Sequence, residues 1–176
     1  HHSKQSYTTF FNQKTGFSLR LENKGEEDPF WCECGPELID ISITDWCDKG
    51  CEFCYRESNT SGHHMNISDY RIIMSQAQKM GVLQVALGGG NPNQHPSFPE
   101  VLRLTREDYN IVPSYTTNGR GLNYEILDAS KRYCGAVAVS VYEPVEEFSI
   151  AIEKLTYHGI RTNIHFLLTR ESINSA

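Results

Sequence analysis

The sequence predicts an α/β fold in which a parallel sheet curls into an open, partial (β/α) barrel. Three observations carry this expectation. From residue 38 to residue 168 short apolar strands alternate with segments of helical period, and repeated β-α units call for a parallel sheet. The strands have one apolar face and one small or polar face, whereas a sheet covered by helices on both sides needs nearly continuous apolar strands. A barrel with helices outside and a polar lumen explains that division better. Finally, 176 residues with 39% hydrophobic and 22% charged side chains suit an ordinary globular chain with one sizeable core.

Residues 3–37 read as an N-terminal extension. Tyr7-Thr8-Thr9-Phe10-Phe11, a turn over 12–16, and Phe17-Ser18-Leu19-Arg20-Leu21 predict a β-hairpin. The acidic loop Glu26-Glu27-Asp28-Pro29 then leads to Trp31. Residues 38–176 form the barrel unit. Its first strand is 38–43, with Ile39, Ile41 and Ile43 on one face and Asp40, Ser42 and Thr44 on the other. After a cysteine-rich loop, a helix is predicted over about 69–80. Ser68 is its expected N-cap, Tyr70, Ile73, Met74, Ala77 and Met80 its apolar face, and Gly81 its end.

A strand at 82–87 precedes a helix at about 98–108, with Ser97 as cap and Pro99 in the first turn, where the amide needs no partner. Then come a strand at 111–116, a helix at about 123–132, a strand at 136–142, a helix at about 145–157 and a strand at 160–168. In the fourth strand Val137, Val139 and Val141 oppose Ala136, Ala138, Ser140 and Tyr142. In the fifth, Ile160, Thr162, Ile164 and Phe166 oppose Arg161, Asn163, His165 and Leu167. Five strands do not close an eight-stranded barrel, so the wall is expected to be open.

With 16 Lys+Arg against 22 Asp+Glu the formal charge is −6, which disfavours a nucleic-acid partner bound by bulk charge. No apolar run approaches a membrane span, and Ser3-Lys4 does not open a signal peptide's apolar stretch, so a cytoplasmic protein without a membrane partner is expected. His1 and His2 look like the remnant of a purification tag and are left out of the site.

The six cysteines are Cys32 and Cys34, then Cys47, Cys51 and Cys54, then Cys134. Three thiols within eight residues are too crowded to pair comfortably as disulfides, and point to a metal or cluster site. Their Cys-x3-Cys-x2-Cys pattern directly follows the first strand. An iron–sulfur cubane usually takes four thiolates, so three leave one iron open to a chelating ligand. A Cys3His zinc site completed by His63 or His64 is the alternative reading of the same residues. Cys32 and Cys34 read as ordinary thiols near a hairpin, and Cys134 as a small buried hydrophobe.

These features resemble the radical S-adenosylmethionine (radical SAM) superfamily from about Leu38 to Leu168. The superfamily's defining loop is Cys-x3-Cys-x-aromatic-Cys, and Phe53 supplies the aromatic. Gly88-Gly89-Gly90-Asn91-Pro92 is similar to the family's glycine-rich motif for the methionine amino group, although Asn91 stands where many members have Glu. Thr116-Thr117-Asn118-Gly119 is similar to the family's Thr-Asn-Gly signature. Ser140 matches a polar contact to the cofactor ribose, and Asn163 another polar position near the cofactor.

The resemblance implies a (β/α)6-type TIM barrel, here present through strand five with its sixth strand outside this chain. It also implies a 4Fe-4S cluster on Cys47, Cys51 and Cys54 that cleaves S-adenosylmethionine (SAM). An external electron donor such as flavodoxin or ferredoxin, and a peptide or small-molecule substrate, complete the expected partners. Tyr142, Arg161 and His165 either face substrate or serve the structure. The glycines are expected to let backbone approach the cofactor, so that Gly89→Val leaves the cluster and weakens SAM binding. An iron–sulfur electron-transfer or sensor protein and a zinc-stabilised binding module are the competing classes.

Overall fold

The computed structural model describes residues 2–3, 7–25, 35–170 and 172–173. The acidic loop at 26–29, Trp31, Cys32 and Cys34 lie outside them. Two sheets are present. The first is antiparallel, ordered β1 (His2–Ser3), β2 (Tyr7–Asn12), β3 (Phe17–Glu22). The second is parallel throughout and runs in chain order through β4 (Leu38–Thr44), β5 (Gln84–Gly89), β6 (Val112–Thr117), β7 (Val137–Val141) and β8 (Thr162–Phe166). The helices α1 (Ile67–Lys79), α2 (Phe98–Arg103), α3 (Tyr124–Tyr133) and α4 (Val145–Tyr157) connect successive strands. β4 and β8 are the two edges, so among the described residues the barrel is open. No helix among them is long and apolar enough to cross a membrane.

The predicted division of strand faces is what organises the core. Ile41, Ile43, Val85, Leu87, Tyr115, Val137 and Val139 join Met74 of α1, Phe98 and Leu102 of α2 and Leu155 of α4 in one buried cluster. Phe98 is fully buried and meets the Tyr115 ring edge-on at 4.9 Å. Phe98→Ala is therefore expected to cost about 3–5 kcal/mol, measured as a shift in the denaturant midpoint. At β8 the apolar face is left partly bare, with Ile164 60% exposed, because β8 is an edge and no following helix among the described residues covers it.

The opposite face is polar or small. In-register neighbours place Asp40 beside Ala86 and Ser114, Ser42 beside Gly88, Thr116 beside Ala138 and Asn163, and Ser140 beside His165. Thr116 Oγ1 and His165 Nδ1 lie 3.4 Å apart across the intervening β7. The small side chain of Ala138 leaves room for that bridge.

Two helix expectations are corrected. Asn66, not Ser68, is the N-cap of α1, and Ser68 falls inside the helix. The predicted helix at 98–108 ends as α2 and continues as a π turn over Leu104–Asp108. Buried Thr105 accounts for the change: its hydroxyl bonds back to the Val101 carbonyl at 2.7 Å and meets Tyr70 Oη at 2.6 Å, which diverts the backbone ladder.

The hairpin plugs the amino-terminal end of the parallel sheet. Gln84 Nε2 donates to the Gly16 carbonyl, Arg161 Nη1 to the Thr15 carbonyl at 2.6 Å, and Arg106 Nη2 to the Gln13 carbonyl. Thr9 Oγ1 donates to Glu37 Oε1 at 2.5 Å. Arg161, expected near substrate or in a structural role, is thus drawn to the end of the sheet away from the cysteine loop.

Candidate functional site

The cysteine loop joins β4 to α1 and is folded back on itself. Cys47 N donates to the Asn59 carbonyl at 3.0 Å, Asp45 N to the His63 carbonyl at 2.8 Å, and Met65 N to the Ile43 carbonyl at 2.9 Å. Within that frame Cys54 N bonds to the Cys51 carbonyl and Glu57 N to the Cys54 carbonyl, at 3.1 and 3.0 Å. Cys47, Cys51 and Cys54 are free thiols, each partly exposed. Burial works against the Cys54 thiolate, but the amides of Ser58, Arg56 and Glu57 and the Ser58 hydroxyl outweigh it, and the thiol falls below its ordinary value. Burial pushes Cys51 up; the Lys49 ammonium opposes this, while Cys47 and Cys54 push the same way. Cys47 Sγ accepts from Asn118 Nδ2 at 3.5 Å.

These donors fit a cluster. Each thiolate of a cubane takes its own iron, and the Asn118 amide at Cys47 and the loop amides at Cys54 are N–H donors of the kind such sulfurs accept. Among the described residues no three His, Cys, Asp or Glu side chains converge as ligands of one metal ion. His64, a candidate fourth zinc ligand, has its Nδ1 2.8 Å from Thr44 Oγ1 and its ring against Trp46 and His95.

The glycine run divides into two kinds. A Cβ on Gly89, whose φ is +124°, would lie 2.0 Å from the Thr44 carbonyl oxygen, and one on Gly90 would lie 2.1 Å from that of Trp46. The close approach there is made by the chain's own loop root: Gly90 N donates to Thr44 O at 2.7 Å and Asn91 N to Trp46 O at 3.0 Å. Gly88 differs, since a Cβ there would meet only Asp40 Oδ1, at 3.4 Å. It sits on the polar face, in line with Ser42.

Asn91 and Thr117 tie the two later motifs together. Asn91 is fully buried; its Oδ1 accepts from Thr117 Oγ1 and Asn118 N, both at 3.2 Å, and its Nδ2 donates to the Arg120 carbonyl. The single Thr117 hydroxyl proton is shared with Asn93 Oδ1, the nearer acceptor at 2.6 Å. Their side chains are spent inside the protein, leaving Asn118 as the motif residue whose side chain reaches the cysteine loop.

A charged group missed in the sequence completes the site. Glu147, in the first turn of α4, accepts Lys49 Nζ on Oε2 at 2.5 Å and both Nε and Nη2 of Arg120 on Oε1, at 3.1 and 2.6 Å. Arg120 Nη1 donates to the Asp48 carbonyl at 2.7 Å. The position of Arg120 directly after Thr-Asn-Gly, and of Lys49 between two cysteines, was the available signal. Arg120 and Lys49 hold the Glu147 carboxyl at about 2. Because this lies below the ordinary 4.5, the contribution to stability is fully present above about pH 4.5 and is lost as pH falls toward 2. Loss of hydrogen-exchange protection, taken relative to the intrinsic rate at each pH, at the amides of residues 47–50 over that window, absent in Glu147→Gln, is the expected reading.

Beside this network a cavity of about 910 Å³ opens between the cysteine loop and the carboxyl ends of β7 and β8, lined by Cys51, Phe53, Tyr142, Phe148 and Phe166 with Lys49 and Arg120 at its wall. Phe53 meets Tyr142 edge-on at 4.9 Å. Ser140 is buried and Asn163 exposed, both on the polar sheet face; neither lines this cavity.

The radical SAM superfamily model matches residues 41–171. A probable GTP 3',8-cyclase of Methanococcus vannielii is 28% identical over 149 residues, covering 76% of this chain and 50% of the relative. The GTP 3',8-cyclase of Photorhabdus laumondii is 29% identical over 140 residues, covering 77% and 40%. The chain thus spans half or less of these relatives' length. Among solved structures, Streptococcus suis SuiB bound to S-adenosylmethionine superposes with a TM-score of 0.62 at 20% identity, over 80% of this chain and 36% of that one. The protein anSMEcpe with bound AdoMet and Cp18Cys peptide gives 0.65 at 17%, over 80% and 45%. At such identities the likeness is one of fold. The cysteine loop, the two motifs tied to its root and a family match across most of the chain meet at one end of this sheet, and the chain belongs to the radical SAM superfamily of enzymes.

Proposed function

We propose that this chain is the core of an enzyme in which Cys47, Cys51 and Cys54 hold a 4Fe-4S cluster and SAM docks at the open iron. Membership of the superfamily implies SAM and an iron–sulfur cluster; the nuclearity and the residue roles are this proposal. The observation that carries it is the set of three free thiols on one loop, with Asn118 directed at one sulfur and loop amides at another.

When bound, the cluster and SAM supply a one-electron reduction and a 5'-deoxyadenosyl radical that takes hydrogen from the substrate. The chain's part is to bind and to orient. Gly89 and Gly90 fix the root of the loop, and the backbone of Gly88, Gly89, Gly90 and Asn91 is assigned to the methionine amino end. Thr117 and Asn118 hold the wall beside Cys47. Phe53 is assigned to the adenosyl group, with Ser140 and Asn163 as its polar contacts. Asp40, Ser42, Ser114, Thr116 and His165 give the face hydrogen-bonding groups with one carboxylate, which suits a polar peptide or small metabolite. Reducing equivalents come from an external donor such as flavodoxin or ferredoxin.

The test is release of 5'-deoxyadenosine. With dithionite and SAM, cluster-replete protein is expected to form it slowly even without substrate, followed by chromatography and mass spectrometry. Replete protein that forms none, even with lysate supplying substrate, would favour the electron-transfer or sensor class.

A further inference from the structure

Two cations sit beside the cysteine loop with one well-held carboxylate between them. Lys49 lies between Cys47 and Cys51 in the chain, and its side chain is only 6% exposed. An ammonium so buried requires a partner, and Glu147 Oε2 supplies it at 2.5 Å. The other oxygen of the same carboxylate takes two N–H groups of Arg120. Asp48 stands 3.8 Å from Arg120, and the two side chains are each about a third exposed, so that pair is the more weakly held one. Glu52 and Glu143, the other acids lining the cavity, are exposed and screened by solvent. Lys49 and Glu147 are therefore the two charges beside the cysteines that solvent screens least.

We propose that Glu147 is a positioning residue that sets the charge beside the cysteines: it holds Lys49 and Arg120 against the cysteine loop and offsets one of their two charges, and so tunes how readily the cluster accepts an electron. The inference rests on the reading of Cys47, Cys51 and Cys54 as cluster ligands. Reduction adds one electron, and so one negative charge, to the cluster. A nearby fixed positive charge favours that step and a negative one opposes it. Glutamine at 147 keeps a carbonyl oxygen to accept the N–H groups of Arg120 and Lys49 and loses only the charge. Glu147→Gln therefore makes reduction easier; removing the charge of Lys49 makes it harder. A purely structural role predicts no such opposition in sign, because loosening the loop from either side disturbs the same cysteines in the same way.

The experiment compares anaerobically reconstituted wild type, Glu147→Gln, Lys49→Met and the double variant in a potentiometric titration with dithionite, following the reduced cluster by electron paramagnetic resonance. At fixed ambient potential Glu147→Gln is expected to raise the reduced-to-oxidised ratio on the order of two- to tenfold, where tenfold is 59 mV for one electron. Lys49→Met is expected to lower it by a similar factor, and the double variant to fall between them. If Glu147→Gln takes up no cluster, Lys49→Met against Lys49→Arg decides, with a lowered ratio for Met and an unchanged one for Arg. Shifts of the same sign, or no shift with full clusters, overturn the inference alone. A wild type that takes up no cluster overturns the reading of the cysteines, and this inference with it.

Discussion

Alanine in place of any one of Cys47, Cys51 or Cys54 is expected to abolish stable 4Fe-4S binding, and with it all formation of 5'-deoxyadenosine. Each thiolate is assigned its own iron, and among the described residues no other cysteine stands on the loop to replace a lost one. Cys134 is the internal control. Burial pushes its thiol well above the ordinary range, and the residue, expected to be buried, is partly buried and packs against the core. Its replacement is expected to leave iron and sulfide content unchanged. The assays are iron, sulfide and the charge-transfer absorption of anaerobically reconstituted protein. Full cluster content in Cys51→Ala would remove the assignment, because Cys51 is the member whose thiol feels both of the others.

Much of this was legible because the informative signals are local. Period 2 in Ile39, Ile41 and Ile43, against Asp40 and Ser42, fixes which face of a strand enters the core. The bounds of α4, Val145–Tyr157, follow from Pro144 ahead of it and Gly159 behind. The helix after β5 misled because the diverting contact, Tyr70 to Thr105, joins residues 35 apart. The same limit hid the charge network and the plug. Lys49 meets Glu147 across 98 positions and Arg161 meets Thr15 across 146, and a charged residue on a loop ordinarily stays in water. The glycines show a subtler failure. Their need for close backbone approach was visible, but the partner at Gly89 and Gly90 is the chain itself, which only the fold reveals.

That distinction changes what the glycine substitutions should do. Gly89→Val is expected to lose the cluster as well as SAM, contrary to the expectation from sequence. Its φ of +124° is one that valine rarely adopts, and its Cβ would fall 2.0 Å from a backbone oxygen that cannot swing aside. The Thr44 carbonyl roots the cysteine loop, so relief of the clash moves the loop, and Gly90→Val should do the same through Trp46. Gly88→Val is the discriminating variant. Its Cβ meets only Asp40 Oδ1 at 3.4 Å, so the strand tolerates it and the cluster is expected at wild-type iron content. The branched side chain instead fills the polar face where SAM is assigned. Crowding of this kind costs about 1–3 kcal/mol, which weakens SAM binding on the order of tenfold or more. Iron analysis and a SAM titration on both variants decide the matter. Unchanged SAM affinity in Gly88→Val would move the cofactor off this face, and a full cluster in Gly89→Val would show that the loop holds its cysteines without the strand end beneath it.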